Sequence, residues 1–333
     1  MMTEQTFVVT AAPTPPVSPA RVAPSDRTPL RVGLVQHQWV PDAEALRATL
    51  YEGIGLAAAE GARAVFLPEL TLSRYPADVR AAANPGATAE DLRTGPTFTF
   101  AAAAARAHGV AVHASLYEKS IGPDGLGYNT AILVSPEGEL IGRTRKLHIP
   151  ISDGYYEDTY FRPGPAEDAY PIYRPAALDG AAIGLPTCWD QWFPEVARMY
   201  SLGGAEILVY PTAIGSEPSF PGFDTQPLWQ QVIIGNAITA ATFMIVPNRF
   251  GDEGGVTFYG SSFIADPYGR VLAQAPRDRA AVLVADLDLD QRKDWLGLFP
   301  FLTTRRPDTY DRLTAPVDRD HAFGADQIGS RAS

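Results

Sequence analysis

The sequence predicts an α/β fold with mixed sheets, and three observations carry that expectation. Units of helix, glycine and short buried strand recur along the chain, the pattern of helices layered on central sheets. Alternating segments around tight turns lie between and after these units, so antiparallel pairs should join the parallel ones. The 29 glycines and 30 prolines among 333 residues favour many short elements over a helical bundle. A hydrophobic content of 46% with 20% charged residues supports a large core and excludes disorder as the main state.

Taken in order, residues 1–29 carry Pro13, Pro15, Pro16, Pro19, Pro24 and Pro29 among Ala, Thr and Ser, a composition that predicts a disordered tail. The folded domain is expected over 30–310, followed by a tail over 311–333 suited to an oligomer contact or to disorder. An apolar strand opens it at 30–36, and a helix follows to Glu60 with Asp42 as N-cap and Gly61 as its stop. Residues 64–67 read as a strand buried on both faces, ending at Pro68 and Glu69. Helix 101–107, Gly109 and strand 110–116 repeat the unit, as do helix 193–202, Gly204 and strand 207–210 before Pro211. The repeat sets Glu69 and Pro211 at equivalent strand ends. Hairpins are expected for 129–135 with 140–145, and for 258–265 with 271–275.

The charge balance narrows the function. With 27 basic against 38 acidic residues the net charge is −11, which repels a nucleic-acid backbone. The basic runs 143–146 and 305–306 are short and fit solvated element ends. No apolar run reaches membrane-spanning length, and the N-terminus lacks the order of a signal peptide, so no membrane partner and a cytoplasmic location are expected. No G-x-G-x-x-G after a strand, no P-loop and no G-x-S-x-G elbow occurs, leaving a nucleotide cofactor without support. One cysteine, Cys188, excludes an internal disulfide, an iron–sulfur site and a zinc site of paired thiolates, and the histidines lack paired spacing. No metal or other cofactor is expected.

Cys188 follows a strand expected at 181–185 and precedes Pro194 and Glu195, which suit a helix first turn. Backbone N–H groups at such a turn lower a thiol pKa and stabilise an oxyanion. Most cysteines of this kind are small buried core residues, and from this context alone that reading leads.

Three segments add to this: Leu67-Pro68-Glu69-Leu70, Arg145-Lys146-Leu147-His148-Ile149-Pro150 and Thr187-Cys188-Trp189-Asp190. They resemble the three catalytic motifs of the nitrilase (carbon–nitrogen hydrolase) superfamily, in that family's order, within a resemblance spanning about residues 30–310. The stretches 154–157, 188–195, 204–208, 210–218 and 247–249 are most similar to its N-carbamoylputrescine amidase and β-ureidopropionase branch. The resemblance implies a four-layer α-β-β-α sandwich, a homodimer or larger homo-oligomer, and no cofactor. It implies Cys188 as nucleophile, Glu69 as general base held in a dry pocket, and Lys146 with the Trp189 backbone N–H as oxyanion donors. Glu157 is similar to the family's second glutamate, which positions substrate and lysine. Tyr75, His148 and Trp229 are candidate substrate contacts, and Phe220, Phe223 and Trp229 suit either pocket wall or surface cover.

The expected substrate is a small amide or N-carbamoyl amine or amino acid. A primary-amide hydrolase and a catalytically silent interaction protein stay open as alternatives. Two departures from the family pattern stand out. Pro186 removes a ladder donor and predicts a bulged or edge-like approach strand. Residues 219–228 do not reproduce the charged, His-Trp-containing segment of the putrescine branch.

Overall fold

The computed structural model describes residues 5–120 and 122–317. Six strands and two helices form its first half: β1 (Val8–Ala12), β2 (Leu30–Gln36), α1 (Ala43–Ala59), β3 (Ala64–Phe66), α2 (Pro96–His108), β4 (Ala111–Glu118), β5 (Tyr128–Val134) and β6 (Leu140–Arg145). The second half opens with β7 (Ile172–Tyr173), β8 (Ile183–Gly184), α3 (Pro194–Leu202), β9 (Ile207–Val209), α4 (Gln226–Ala240) and β10 (Phe243–Val246). It closes with β11 (Phe250–Asp252), β12 (Thr257–Tyr259), β13 (Phe263–Ala265), β14 (Val271–Gln274), β15 (Ala281–Leu287) and α5 (Asp290–Leu298).

Two mixed sheets result, one in the order β1-β15-β2-β3-β4-β5-β6 and the other β14-β13-β10-β9-β8-β7. Their facing surfaces share a core that includes Leu34, Phe66 and Leu133 from the first and Ile183, Ile207 and Ile245 from the second. Leu46, Leu50 and Ile54 of α1 and the alanines of α2 cover the outer face of the first sheet. Val196 and Tyr200 of α3 and Trp229 and Ile233 of α4 cover the second. The arrangement is the expected four-layer α-β-β-α sandwich. Burying each such Leu, Ile or Phe contributes about 1.5–3 kcal/mol, so the layers hold one another in place.

Local signals place the elements where the sequence put them. Asp42 Oδ1 accepts from the N–H groups of Glu44 and Ala45 at 3.0 and 3.1 Å, capping α1. Gly109 ends α2 in the left-handed region at φ +67°, where a Cβ carries a steric cost.

Three expectations need correction. Residues read as a disordered tail contribute β1, which pairs in parallel with β15 from Val8↔Ala281 to Ala12↔Ala285. The prolines begin only at Pro13, so Val8, Val9 and Thr10 are free to complete a ladder. Arg21 then pairs with Asp288 at 2.7 Å and Ser18 bonds Tyr268 at 2.8 Å, fixing the proline-rich stretch on the domain. Second, 258–265 is not one strand: Gly260 and Ser261 take φ +55° and +59°, which sends β12 to pair with β11 and β13 to pair with β10. Third, the strand before Cys188 is neither bulged nor at an edge. β8 ends at Gly184, between β7 and β9, so Pro186 removes no ladder donor. Of the C-terminal tail, residues 318–333 lie outside the described residues, and 311–314 form a short 3₁₀ turn.

Strands β2, β3 and β4 run parallel in the first sheet, as do β8, β9 and β10 in the second. Glu69, Cys188, Ala213 and Asn248 all follow the carboxyl ends of such strands, and Lys146 follows β6. Chain segments leaving a sheet at that end are free of the ladder and available to build a site.

Candidate active site

The chain after β3 turns sharply at Leu70, whose φ is +49°, and leaves the Glu69 side chain fully buried. Glu69 Oε1 accepts from Asn129 Nδ2 at 2.7 Å and Lys146 Nζ at 2.9 Å. Its Oε2 accepts from the Ala213 N–H at 2.9 Å. The two strand ends that the repeat made equivalent therefore meet. Lys146 Nζ also donates to Glu157 Oε2 at 2.7 Å, and the Tyr75 hydroxyl donates to Glu157 Oε1 at 3.0 Å. One ammonium thus lies between two carboxylates, all three buried.

Cys188 opens a short 3₁₀ segment, Cys188–Trp192, and α3 begins only at Pro194. Its N–H donates to the Pro211 carbonyl at 3.0 Å, and its φ of +37° is a strained conformation for a residue with a side chain, worth about 1–3 kcal/mol. Strain of this kind persists only where the surroundings fix it, and here they do. Asp190 accepts from the Thr187 N–H at 3.1 Å, the His148 N–H at 2.9 Å and His148 Nδ1 at 2.7 Å. That single buried carboxylate fastens the cysteine turn to the segment following Lys146.

Electrostatics at the thiol run opposite to the expectation from the turn alone. Burial pushes the Cys188 thiol well up, the Glu69 and Glu157 charges push the same way, and Lys146 only partly offsets them. The thiol is protonated at rest and needs a base to become a nucleophile. For Lys146, burial works against the charge, but Glu157, Glu69 and Cys188 outweigh it and hold the ammonium above the usual lysine range. Burial raises Glu157 to about 7 despite the attraction of Lys146, with Glu69 adding to the rise.

Cys188 and Glu157 line a cavity of about 380 Å³ together with Tyr155, Trp189, Trp192, Ile214, Glu217, Phe223 and Leu228. Trp189, expected only for its backbone, also supplies a wall. Phe223 lines the cavity while remaining half exposed, and Phe220, also exposed, is not part of that lining. The other expected substrate contacts lie elsewhere. Tyr75 is behind Glu157, and His148 stacks on Phe193 with ring centroids 3.7 Å apart while bonding Asp190. Trp229 is wholly inside the α3/α4 core and donates from Nε1 to Gln191 Oε1 at 2.9 Å. Its neighbour Leu228 faces the cavity instead. Among the described residues, no group of three or more His, Cys, Asp or Glu is placed to hold a metal, and no helix is long and apolar enough to cross a membrane.

The carbon-nitrogen hydrolase family profile matches residues 31–296. The chain belongs to the carbon–nitrogen hydrolase family. Among curated proteins, this hydrolase is 38% identical over 233 residues to the N-carbamoylputrescine amidase of Arabidopsis thaliana, covering 68% of this chain and 75% of that one. It is 39% identical over 217 residues to the citrullinase of Francisella tularensis, covering 63% and 72%. Among solved structures, a carbon–nitrogen hydrolase from Helicobacter pylori superposes with a TM-score of 0.77 at 30% identity, over 87% of this chain and all of that one.

Several groups that build the site of this carbon–nitrogen hydrolase carried no assigned role in the sequence. Arg249 is fully buried, donates to the carbonyls of Glu69 and Leu70 at 2.5 and 3.0 Å, and pairs with Glu253 at 2.8 Å. It fixes the strained turn that presents Glu69. Its presence in the Pro247-Asn248-Arg249 motif was the available signal, as was the position of Asp190 beside the cysteine. Asn129, at the start of a hairpin strand, offered none.

The raised Glu157 carboxyl makes stability depend on pH. Between the ordinary carboxyl range and about 7 the folded hydrolase binds the proton more tightly than the unfolded chain. Its contribution is therefore full at acid pH and is lost as pH rises through that value. Thermal unfolding from pH 5 to 8 is expected to show this slope, and Glu157→Gln to flatten it. An unchanged slope in the variant would assign the dependence to other groups.

Proposed function

We propose that this enzyme hydrolyses a linear carbon–nitrogen bond of an N-carbamoyl compound through a covalent intermediate on Cys188. The observation that carries the reading is the buried Glu69–Lys146–Glu157 array whose three charges all act on a thiol in the wall of a cavity of small-molecule size. A protonated thiol beside a carboxylate suits general-base attack: Glu69 takes the proton as the sulfur bonds to the carbonyl carbon. Lys146, held charged without bulk water, and the Trp189 backbone N–H serve the oxyanion, a role worth about 3–4 kcal/mol per donor. The first carbon–nitrogen bond breaks as the departing nitrogen takes the proton from Glu69. Water, deprotonated by Glu69, then attacks the acyl carbon and releases the thiol. For an N-carbamoyl substrate the carbamic acid formed loses carbon dioxide, so one water is consumed and amine, ammonia and carbon dioxide appear together. The similarity to an N-carbamoylputrescine amidase and a citrullinase supports a ureido substrate.

The test is product stoichiometry joined to trapping. Ammonia and carbon dioxide are expected in equal amounts, and acid-quenched enzyme is expected to carry the acyl mass on the Cys188 peptide. Ammonia without carbon dioxide would make the enzyme a plain amide hydrolase. Turnover without any adduct on that peptide, under conditions where the second step is slowed, would remove the covalent route.

A further inference from the structure

A second concavity adjoins the cavity over Cys188. It is a groove of about 580 Å³ whose lining includes Gln38, Ser216, Thr257, Tyr259 and Arg277. Phe223 and Thr225 belong to both linings, and the segment 214–217 is shared between them, with Gly215 and Ser216 on the groove and Ile214 and Glu217 on the cavity. Two pieces of backbone, 214–217 and 223–225, therefore form the partition between the two spaces.

The two pieces are held differently. In the first, the Ile214 N–H donates to Asn248 Oδ1 at 3.2 Å, the Gly215 N–H donates to the Tyr155 hydroxyl at 3.2 Å, and that hydroxyl donates to the Ser216 carbonyl at 3.0 Å. Buried groups thus pin it. The second belongs to a surface loop, in which the Phe223 N–H donates to the Phe220 carbonyl at 2.8 Å. Asp224 accepts two bonds from Arg277, at 2.8 and 2.9 Å, with both side chains half exposed. The bidentate pair orients the loop, yet Phe223 itself is 54% exposed. Truncating that ring costs the fold little and removes one whole section of the partition.

We propose that Phe223 sets the upper length of the substrate: its ring closes the cavity over Cys188 against the groove, so that linear substrates ending before the ring are accepted and longer unbranched ones are turned away. The groove is then an extension of the site that the wild-type enzyme leaves unused. Selection by a wall is steep, since one methylene too many changes kcat/KM by about 10- to 200-fold. The proposal needs a linear carbon–nitrogen substrate but not the ureido group. It also gives a role to the 219–228 segment, which supplies the ring.

The experiment measures kcat/KM along two homologous series, n-alkylureas from ethyl to decyl and straight-chain primary amides of matching length. Wild-type values should rise to an optimum and then fall about 10- to 200-fold as the alkyl chain grows past it. In Phe223→Ala the fall should move to longer chains, raising kcat/KM for the first rejected member relative to the optimum by about tenfold or more. Phe220→Ala removes an exposed ring of the same loop that belongs to neither lining, and it should keep the wild-type profile. A wild-type profile that stays flat with length, or an unmoved limit in Phe223→Ala, overturns the assignment. So does an equal shift in Phe220→Ala, because loop mobility and not the ring would then be the cause. If the amides are hydrolysed and the ureas are not, the ureido reading falls while the amide series still decides on Phe223. No turnover in either series overturns both.

Discussion

Cys188→Ala is expected to lower turnover of every accepted substrate by about four orders of magnitude or more, with little change in folding. The size follows from losing the attacking atom while the binding cavity and the oxyanion donors stay, which leaves only residual rate enhancement. Stability should change by less than about 1.5 kcal/mol, because one buried sulfur is removed and the two carboxylates that raise the thiol lose nothing they were bonded to. Steady-state assays beside a thermal melt read both quantities. A variant that keeps activity within tenfold of wild type would exclude Cys188 as nucleophile, whatever happens to its melting temperature.

Lys146→Met should cost the site's stability far more than Cys188→Ala does, and lower activity as well. It replaces the ammonium between Glu69 and Glu157 by an apolar chain of similar length and leaves two buried carboxylates facing each other. Breaking a buried ion pair on one side typically costs about 3–5 kcal/mol, and losing an oxyanion donor about 10²–10³ in kcat. Protonating one carboxyl relieves the repulsion, so the variant should be most destabilised at pH 8 and recover toward pH 5. Adding Glu157→Gln should restore part of the stability but not the activity, a double-mutant result that separates charge balance from catalysis. If Lys146→Met melts at the wild-type temperature at pH 8, the three charges do not share one dry site.

What could be read in advance was what depends on neighbouring residues. Asp42 capping α1, Gly109 ending α2 and the β5–β6 hairpin are local events, decided by a few consecutive side chains. The grouping of Glu69, Lys146 and Cys188 at strand ends was legible through the repeated strand endings and the motifs around them. Features set by distant partners were not. The thiol at a turn should by local donors be lowered, yet it is raised by burial and by carboxylates from two distant loop segments. Trp229 reads as an aromatic near the pocket, but the helical turn that aims Leu228 at the cavity puts Trp229 in the core. The split of 258–265 depends on left-handed φ values at Gly260 and Ser261, and only the glycine could have hinted at it. For β1, a proline-rich composition argued one way and an available sheet edge decided the other.

The placement of β15 between β1 and β2 has a consequence for the order of assembly. On the ribosome, the first two strands are made long before the one that joins them. Until residues 281–287 emerge, both flanks of that gap present unsatisfied N–H and C=O groups, the surface on which β-chains mispair. Completion of the first sheet is therefore a late, long-range event, which slows folding and lengthens exposure to aggregation. The interval from the second strand to its closure is when this enzyme has most need of a chaperone.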